Sequence, residues 1–291
     1  NFSGSFTGFF KDFVAYGVMN TQLGQLRSDL NMKFNESFDN ATYSGNLAAL
    51  KFDVGNYSGV DSLLGTMSFD AKVTGNGLST DNLDAKLVGT VQQFQFNHYN
   101  YQNIHLDGTF NKKLFTGKVN MKDDNINLDF TGMLDLNNDL PVYNFHADIQ
   151  NANLNTLQFT AKEYLLTTQL DMNMKGNNID NFIGYAKAVH TTFSKSNDQL
   201  SLDTVSLNIN EANGEKHFAL TSNPGKAVFN GTFALTKLPA SFLSVLDHYF
   251  PSLPMHYEAP GEAQDFDFDI VLNDVSGVLH FFFPDVHGIS E

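Results

Sequence analysis

The sequence predicts an all-β fold, a long curved antiparallel sheet with one apolar face, accompanied by one or two short helices. Three observations carry this expectation. Apolar and polar residues alternate with a period of two, a short glycine-centred motif recurs, and Asn/Asp/Gly clusters punctuate the middle of the chain.

The alternation is the signal of a half-buried strand, because successive side chains on a strand point to opposite faces. Leu26, Ser28, Leu30, Met32 and Phe34 alternate with Arg27, Asp29, Asn31 and Lys33. Ile126, Leu128, Phe130, Gly132, Leu134 and Leu136 alternate with Asn127, Asp129, Thr131, Met133 and Asp135. Leu166 to Met174 repeats the pattern, and Phe266, Phe268, Ile270 and Leu272 interleave with Asp265, Asp267 and Asp269. Each segment therefore has one apolar face and one wet one. The predicted lining of the apolar face is Leu26, Leu30, Met32, Phe34, Leu106, Phe110, Phe115, Val119, Ile126, Leu128, Phe130, Leu134, Leu170, Met172, Leu207, Phe229, Phe233, Phe266, Phe268 and Ile270.

The recurrent motif is apolar, any residue, Gly, any residue, apolar. It occurs around Gly8, Gly45, Gly89, Gly108, Gly117, Gly132 and Gly231. Each glycine falls on the apolar face between large side chains. A single one reads as clearance for a neighbour to pack across it. Their repetition on one face predicts a strongly curved sheet.

Turn clusters at Asp123-Asp124-Asn125, Asn137-Asn138-Asp139, Gly176-Asn177-Asn178 and Asn213-Gly214 suit an antiparallel meander. Helix is scarce. Pro239 to Phe250 places Leu238, Phe242, Leu246 and Phe250 on one stripe, with Leu243 and Tyr249 beside it, and Pro251 ends it. A second short helix is expected over Val275 to Phe283, and one-turn plugs or lids near Val60–Leu64 and Asn153–Leu157. Residues 1–291 read as one repetitive unit, with a candidate hinge at 251–260. About 16 to 20 strands at ~4.8 Å spacing would make a sheet roughly 80–95 Å wide. Such a sheet must close, pack on a second sheet or bind something apolar.

Composition narrows the function. Asp and Glu number 32 against 17 Lys and Arg, a net charge of −15, with no basic stripe. A nucleic-acid partner is therefore not expected, since phosphate binding needs positive charge. With no Cys there is no disulfide, thiolate metal site or thiol nucleophile. Trp is absent while Phe reaches 28, and Phe suits a dry surface because it needs no hydrogen-bond partner. There is no apolar run of membrane-spanning length. The start, Asn1-Phe2-Ser3-Gly4-Ser5-Phe6, reads as strand rather than export signal. The expectation is a piece of a longer protein whose anchor or export signal lies upstream.

No chemistry-bearing constellation emerges. The nine His are scattered without metal-ligand spacing and read as surface or turn residues. Asp265, Asp267 and Asp269 read as a solvated face, lacking the glycine-bearing loop of a calcium site. No nucleophile elbow, P-loop or dinucleotide fingerprint appears, so no enzyme activity, metal or cofactor is expected.

The run Phe6-Thr7-Gly8-Phe9-Phe10-Lys11-Asp12-Phe13-Val14-Ala15-Tyr16-Gly17 resembles TamB-type translocation and assembly module proteins. So does the stretch from Tyr99-Asn100-Tyr101 through Ile104, Leu106, Gly108, Phe110, Phe115 and Gly117 to Asp123-Asp124. Gly176-Asn177-Asn178-Ile179-Asp180 and Phe229-Asn230-Gly231-Thr232-Phe233 are similar to repeats of the wider AsmA-like superfamily. The likeness is one of pattern and spans essentially the whole chain. It implies a taco-like groove with an apolar lumen in the periplasm of a Gram-negative envelope. The groove would form a middle slice of a protein anchored in the inner membrane through segments outside this chain. It implies phospholipid, or another acyl-chain lipid, as cargo, and a role in outer-membrane biogenesis. Two alternatives stand beside this: a scaffold that captures strands of outer-membrane β-barrel proteins, and a dry structural β-rod.

Overall fold

The computed structural model describes residues 1–34, 37–61, 63–249 and 264–284. Sixteen strands form one antiparallel sheet in strict chain order. They are β1 (Phe2–Phe9), β2 (Asp12–Thr21), β3 (Gly24–Lys33), β4 (Thr42–Asp53), β5 (Leu64–Asn76), β6 (Asp84–Phe96), β7 (Tyr99–Asn111) and β8 (Leu114–Asp123). Then follow β9 (Ile126–Asp135), β10 (Val142–Asn153), β11 (Leu165–Lys175), β12 (Ile183–Lys195), β13 (Asp198–Ala212), β14 (Glu215–Ser222), β15 (Gly225–Thr232) and β16 (Asp265–Leu272). Each strand pairs with its sequence neighbours and the sheet does not close, so β1 and β16 are its edges.

The turn clusters act as expected. Asp123 accepts from the Asn125 amide at the β8–β9 turn, 2.9 Å away. Asn213 and Gly214 both adopt positive φ, 56° and 81°, the geometry of a two-residue hairpin that matches strand twist. Asn97 and His98, at 47° and 65°, form a second such turn.

Three short α-helices accompany the sheet: α1 (Val54–Ser58), α2 (Leu238–Tyr249) and α3 (Ser276–Phe282). The two expected near the C-terminal end are present within a residue or two. The one-turn helix expected at Val60–Leu64 lies earlier, as α1. Asp53 caps its start by accepting from the Asn56 amide at 3.0 Å, and Gly59 ends it in the left-handed conformation. At Asn153–Leu157 the chain makes a single hydrogen-bonded turn, Leu157 N–H to Asn153 O at 2.9 Å, without continuing into a helix. The expected hinge at 251–260, Phe250, and the side chains of Leu246 and Tyr249 lie outside the described residues.

The apolar face is concave. No described element stacks on most of this single sheet, yet Val73 and Ile209 are each only 2% exposed. Side chains on the open face of a flat sheet would keep much of their surface in water. Inward side chains that converge on a curved sheet account for such burial, helped at Val73 by Ala41 and Leu78 of the rim loops. At the edge the effect fades: Phe6, on the same face of β1, is 61% exposed.

A crease runs across the sheet. Lys51, Asn103, Asn151 and His190 sit mid-strand with φ between 48° and 53° in β4, β7, β10 and β12. Register shifts mark the crease between Ala49 and Phe52 and between Ile149 and Ala152. Such bulges interrupt the ladder and bend the strand. The freed backbone groups find side chains instead. Ser68 accepts from the Lys51 amide at 3.0 Å, Thr167 from Asn151 at 3.2 Å, and Asp123 from Gln102 at 2.9 Å. The buried polar residues Ser68, Asp123, Thr168 and Thr191 therefore line the crease, the last two joined hydroxyl to hydroxyl at 2.8 Å.

One rim is sewn loop to loop. Phe34 donates to Lys11, Gly77 to Ala41, Lys112 to Leu83, Leu136 to Lys113 and Gly176 to Pro141, all through backbone groups.

Candidate functional site

Antiparallel partners share a face, so the register assigns every inward residue. One row runs Phe6, Ala15, Leu30, Gly45, Val73, Leu87, Gly108, Gly117, Gly132, Phe145, Met172, Ala186, Leu207, Leu220, Ala227, Ile270. The same tracing puts all the predicted lining residues on this one face. Phe34 and Phe233 stand just past the ends of β3 and β15 and pack against it. All the motif glycines lie on this face too.

The structure does not treat these residues alike. Leu30, Met32 and Phe34 join a cluster over β2–β6 with Ala71 and Val73. Val119, Ile126 and Leu128 pack with Leu154 and Leu157 of the β10–β11 connection, and Leu157 is 1% exposed. That connection reaches back to the β6–β7 turn, where the Asn97 amide group donates to Gln158 O at 3.2 Å. Near the same rim, α3 lays Phe281 and Phe282 against Tyr164, Phe193 and Leu200. Phe229, Phe233, Phe266 and Phe268 surround Phe242 of α2 or pack beside it. Between these covers a path of half-buried rings, with no described helix or loop cluster on it, crosses Phe110, Phe115, Phe130 and Phe145, with successive ring centroids 5.1, 6.2 and 5.1 Å apart. Leu106, Leu134, Leu170, Met172 and Leu207 flank it, all half-buried, while Leu26 is half-buried on β3 and Ile270 is exposed on β16. The covers were partly legible in sequence: the stripe on α2 signalled one, and the plug expected at Asn153–Leu157 is where Leu157 is buried, although the chain forms a turn there rather than a helix.

Polar groups on the inward side are few and partnered. Asp123 accepts from the Tyr99 hydroxyl at 2.6 Å, and the Asn125 side-chain amide donates to that hydroxyl at 2.9 Å. Burial, with the Asp123 bond second, raises the Tyr99 pKa. Burial pushes Tyr43 and Tyr101 up to about 12. Lys216, 8% exposed, donates to the backbone carbonyl of Asp180 and lies 5.6 Å from the Phe233 ring centre. The Asp180 carboxylate in turn accepts from the Thr236 amide at 3.0 Å and hydroxyl at 2.7 Å. Partial burial pushes the Asp180 carboxyl up, but those bonds and the charge of Lys216 outweigh it, and its pKa lies below the usual range. Among the described residues no buried side-chain polar atom lacks a partner.

The opposite face is a wet ladder. Asp107 pairs with Lys118, and His146, Asp171 and Lys187 follow one another across β10–β12. His146 Nδ1 stands 2.7 Å from Asp171 in the open. An open depression of about 790 Å³ borders this row and is lined mainly by polar-face residues, including Thr131, Asn144, His146, Asp171 and Lys187. Asp265, Asp267 and Asp269 are exposed on the same side. Among the described residues no three His, Asp or Glu side chains converge as metal ligands would. No described helix is long and apolar enough to cross a membrane.

No protein-family model, curated protein or solved structure matches this chain. Its likeness to the TamB-type and AsmA-like proteins therefore rests on the pattern of its residues.

Proposed function

We propose that this chain is a non-enzymatic groove segment that carries the acyl chains of phospholipids between membranes of a Gram-negative envelope. It would lie in the periplasm as part of a TamB- or AsmA-like protein, attached to the inner membrane through segments outside this chain. The observation that carries the reading is the single apolar face, continuous through the described strands and left without a cover among the described residues over Phe110, Phe115, Phe130 and Phe145. Each buried methylene contributes about 0.8 kcal/mol, so a chain of ~16 carbons gains more than ~10 kcal/mol before ordering costs. Phe, Leu and Met offer no fixed polar partner, so a bound chain can slide rather than lodge. The net charge of −15 keeps the wet face soluble and repels anionic headgroups from it.

The test is native mass spectrometry of the purified chain followed by lipid extraction. Phospholipid should copurify and be lost in Phe130→Asp and Leu128→Asp, with the far-UV circular dichroism unchanged. Retention of lipid by both variants would sink the reading.

A second reading is favoured by β1. Among the described strands it stands at one edge of the sheet, carries no charge and no proline, and exposes Phe2, Phe6 and Phe9. A strand with those properties accepts another strand wherever its outer side is free. On this reading the chain captures strands of outer-membrane β-barrel proteins, and peptides from such strands should bind while lipid does not copurify.

A further inference from the structure

The two ends of the apolar face are finished differently. At β1 the inward side chains are open to solvent, with Phe6 61% exposed. At β14–β16 the chain's own helix α2 lies over part of the face, burying Phe229 while Phe268 and Ile270 of β16 stay 54% and 43% exposed. Phe242 sits with its ring centre 5.1 Å from Phe268, 6.1 Å from Phe266 and 6.3 Å from Phe229. Leu238 is buried beside it, against the same floor. An apolar side chain from a helix thus occupies the place that an acyl chain following the face would take.

The approach to α2 is secured by polar contacts. The one-turn 3-10 helix Leu235–Lys237 leads directly into it. Thr236 gives both its amide and its hydroxyl hydrogen to the Asp180 carboxylate, from the β11–β12 loop. Lys216, at the start of β14, donates to Asp180 O and reaches Phe233 O at 3.5 Å. These contacts fix the entry of α2 at the rim, with Lys216 on the inward side against the Phe233 ring. The attachment therefore has a polar latch at the rim and an apolar plug beyond it, and the Thr236 bonds are removable without touching Phe242.

We propose that α2 is a built-in occupant of the groove, competing with an acyl chain for the floor formed by Phe229, Phe266 and Phe268. This rests on the lipid reading above and adds its regulation. With α2 seated, the floor at Phe229 and Phe266 is covered and lipid occupies only the path over Phe110, Phe115, Phe130 and Phe145. When α2 lifts, the apolar track extends to β16. The energetic logic is exchange: an aliphatic chain replaces Phe242 with little net change in buried apolar surface, so the latch sets the balance.

The chain contains no Trp, so Phe242→Trp installs a sole indole reporter at the plug. In the full chain its emission should be that of a buried indole, and palmitate should shift it to the red. Adding Thr236→Val, which removes one hydrogen bond of the latch, should lower the palmitate needed about fivefold. Phe242→Ala should hold more palmitate per chain than wild type in native mass spectrometry. Palmitate retained equally by all variants, with unmoved emission, would overturn the competition and leave the lipid reading standing. If no variant retains palmitate, Phe242→Ala included, both fall.

Discussion

The ring of Phe115 lies over Gly108 on the neighbouring strand, so that a Cβ placed on Gly108 would stand 2.3 Å from Phe115 Cε2. Gly108 pairs directly with Gly117, and Gly117 with Gly132, which makes a bare strip of backbone beneath the aromatic path. On a concave face the inward side chains converge, and the strip leaves room for the large rings on either side. A glycine in mid-strand ordinarily weakens pairing, and a ring laid across it restores part of the lost packing.

The two paired glycines should respond differently to added bulk. A Cβ on Gly117 would meet Asp107 O at 2.4 Å and Gly108 Cα at 2.5 Å, which are backbone atoms and cannot step aside. Gly117→Ala should therefore cost about 1–3 kcal/mol in urea denaturation. Gly108→Ala meets chiefly the far end of the Phe115 ring, which can turn at about 0.5–1.5 kcal/mol. Equal losses at both sites would show that ring packing, rather than close strand approach, sets the need for glycine.

The crease should be sensitive to single hydroxyls. Ser68→Ala would leave the Lys51 amide without its 3.0 Å partner, at a cost of about 1–3 kcal/mol. Ser44→Ala, on the exposed face of β4, should stay within about 0.5 kcal/mol. Thermal melts of the two variants side by side decide it. A silent Ser68→Ala would mean that water serves the bulge equally well.

Alkaline titration should expose the buried phenols. Tyr43 and Tyr101, raised by burial to about 12, should ionise well after an ordinary tyrosine at about 10. In the unfolded chain these groups lose their protons first, so the unfolded state binds fewer protons between pH about 10 and 12. Their stabilising contribution is then fully present below pH about 10 and is lost as pH rises toward 12. Ultraviolet absorbance at the phenolate band, followed together with melting temperature, tests both halves. Phenolate absorbance that rises fully near pH 10 while the fold persists would contradict the burial assigned to these rings.

The bare edge at β1 should make the chain associate. Thr7→Lys places a charge on the polar side of that strand, away from the groove, and so guards the edge without altering the apolar face. Sedimentation velocity across a concentration series should show self-association in the wild type that the variant suppresses. β16 already carries Asp265, Asp267 and Asp269 on its polar side and should contribute less. Association unchanged by Thr7→Lys would place the contact elsewhere.

Which face each inward residue occupies was determined by the sequence alone. A period of two has a single solution once a few positions are assigned, and a slip of one residue would drive Leu30, Leu128 and Phe229 into water. The turn at Asn213-Gly214 was legible for a similar local reason, since its backbone conformation suits few other residues. The helix expected near Val60 forms one turn earlier, where the Asp53 cap and the left-handed Gly59 bound it. Only the tertiary structure decided the crease: Asn103, Asn151 and His190 are of types that tolerate the left-handed conformation, but nothing local distinguishes them, or Lys51, from the chain's many other residues of those types. It also decided which parts of the apolar face are covered. That Leu157 and Phe242 fill the groove depends on the concavity of the whole sheet and on loops returning across several strands. These contacts join residues far apart in the chain, so a local pattern could nominate a plug, as at Asn153–Leu157 and along the α2 stripe, but not the strands that it covers.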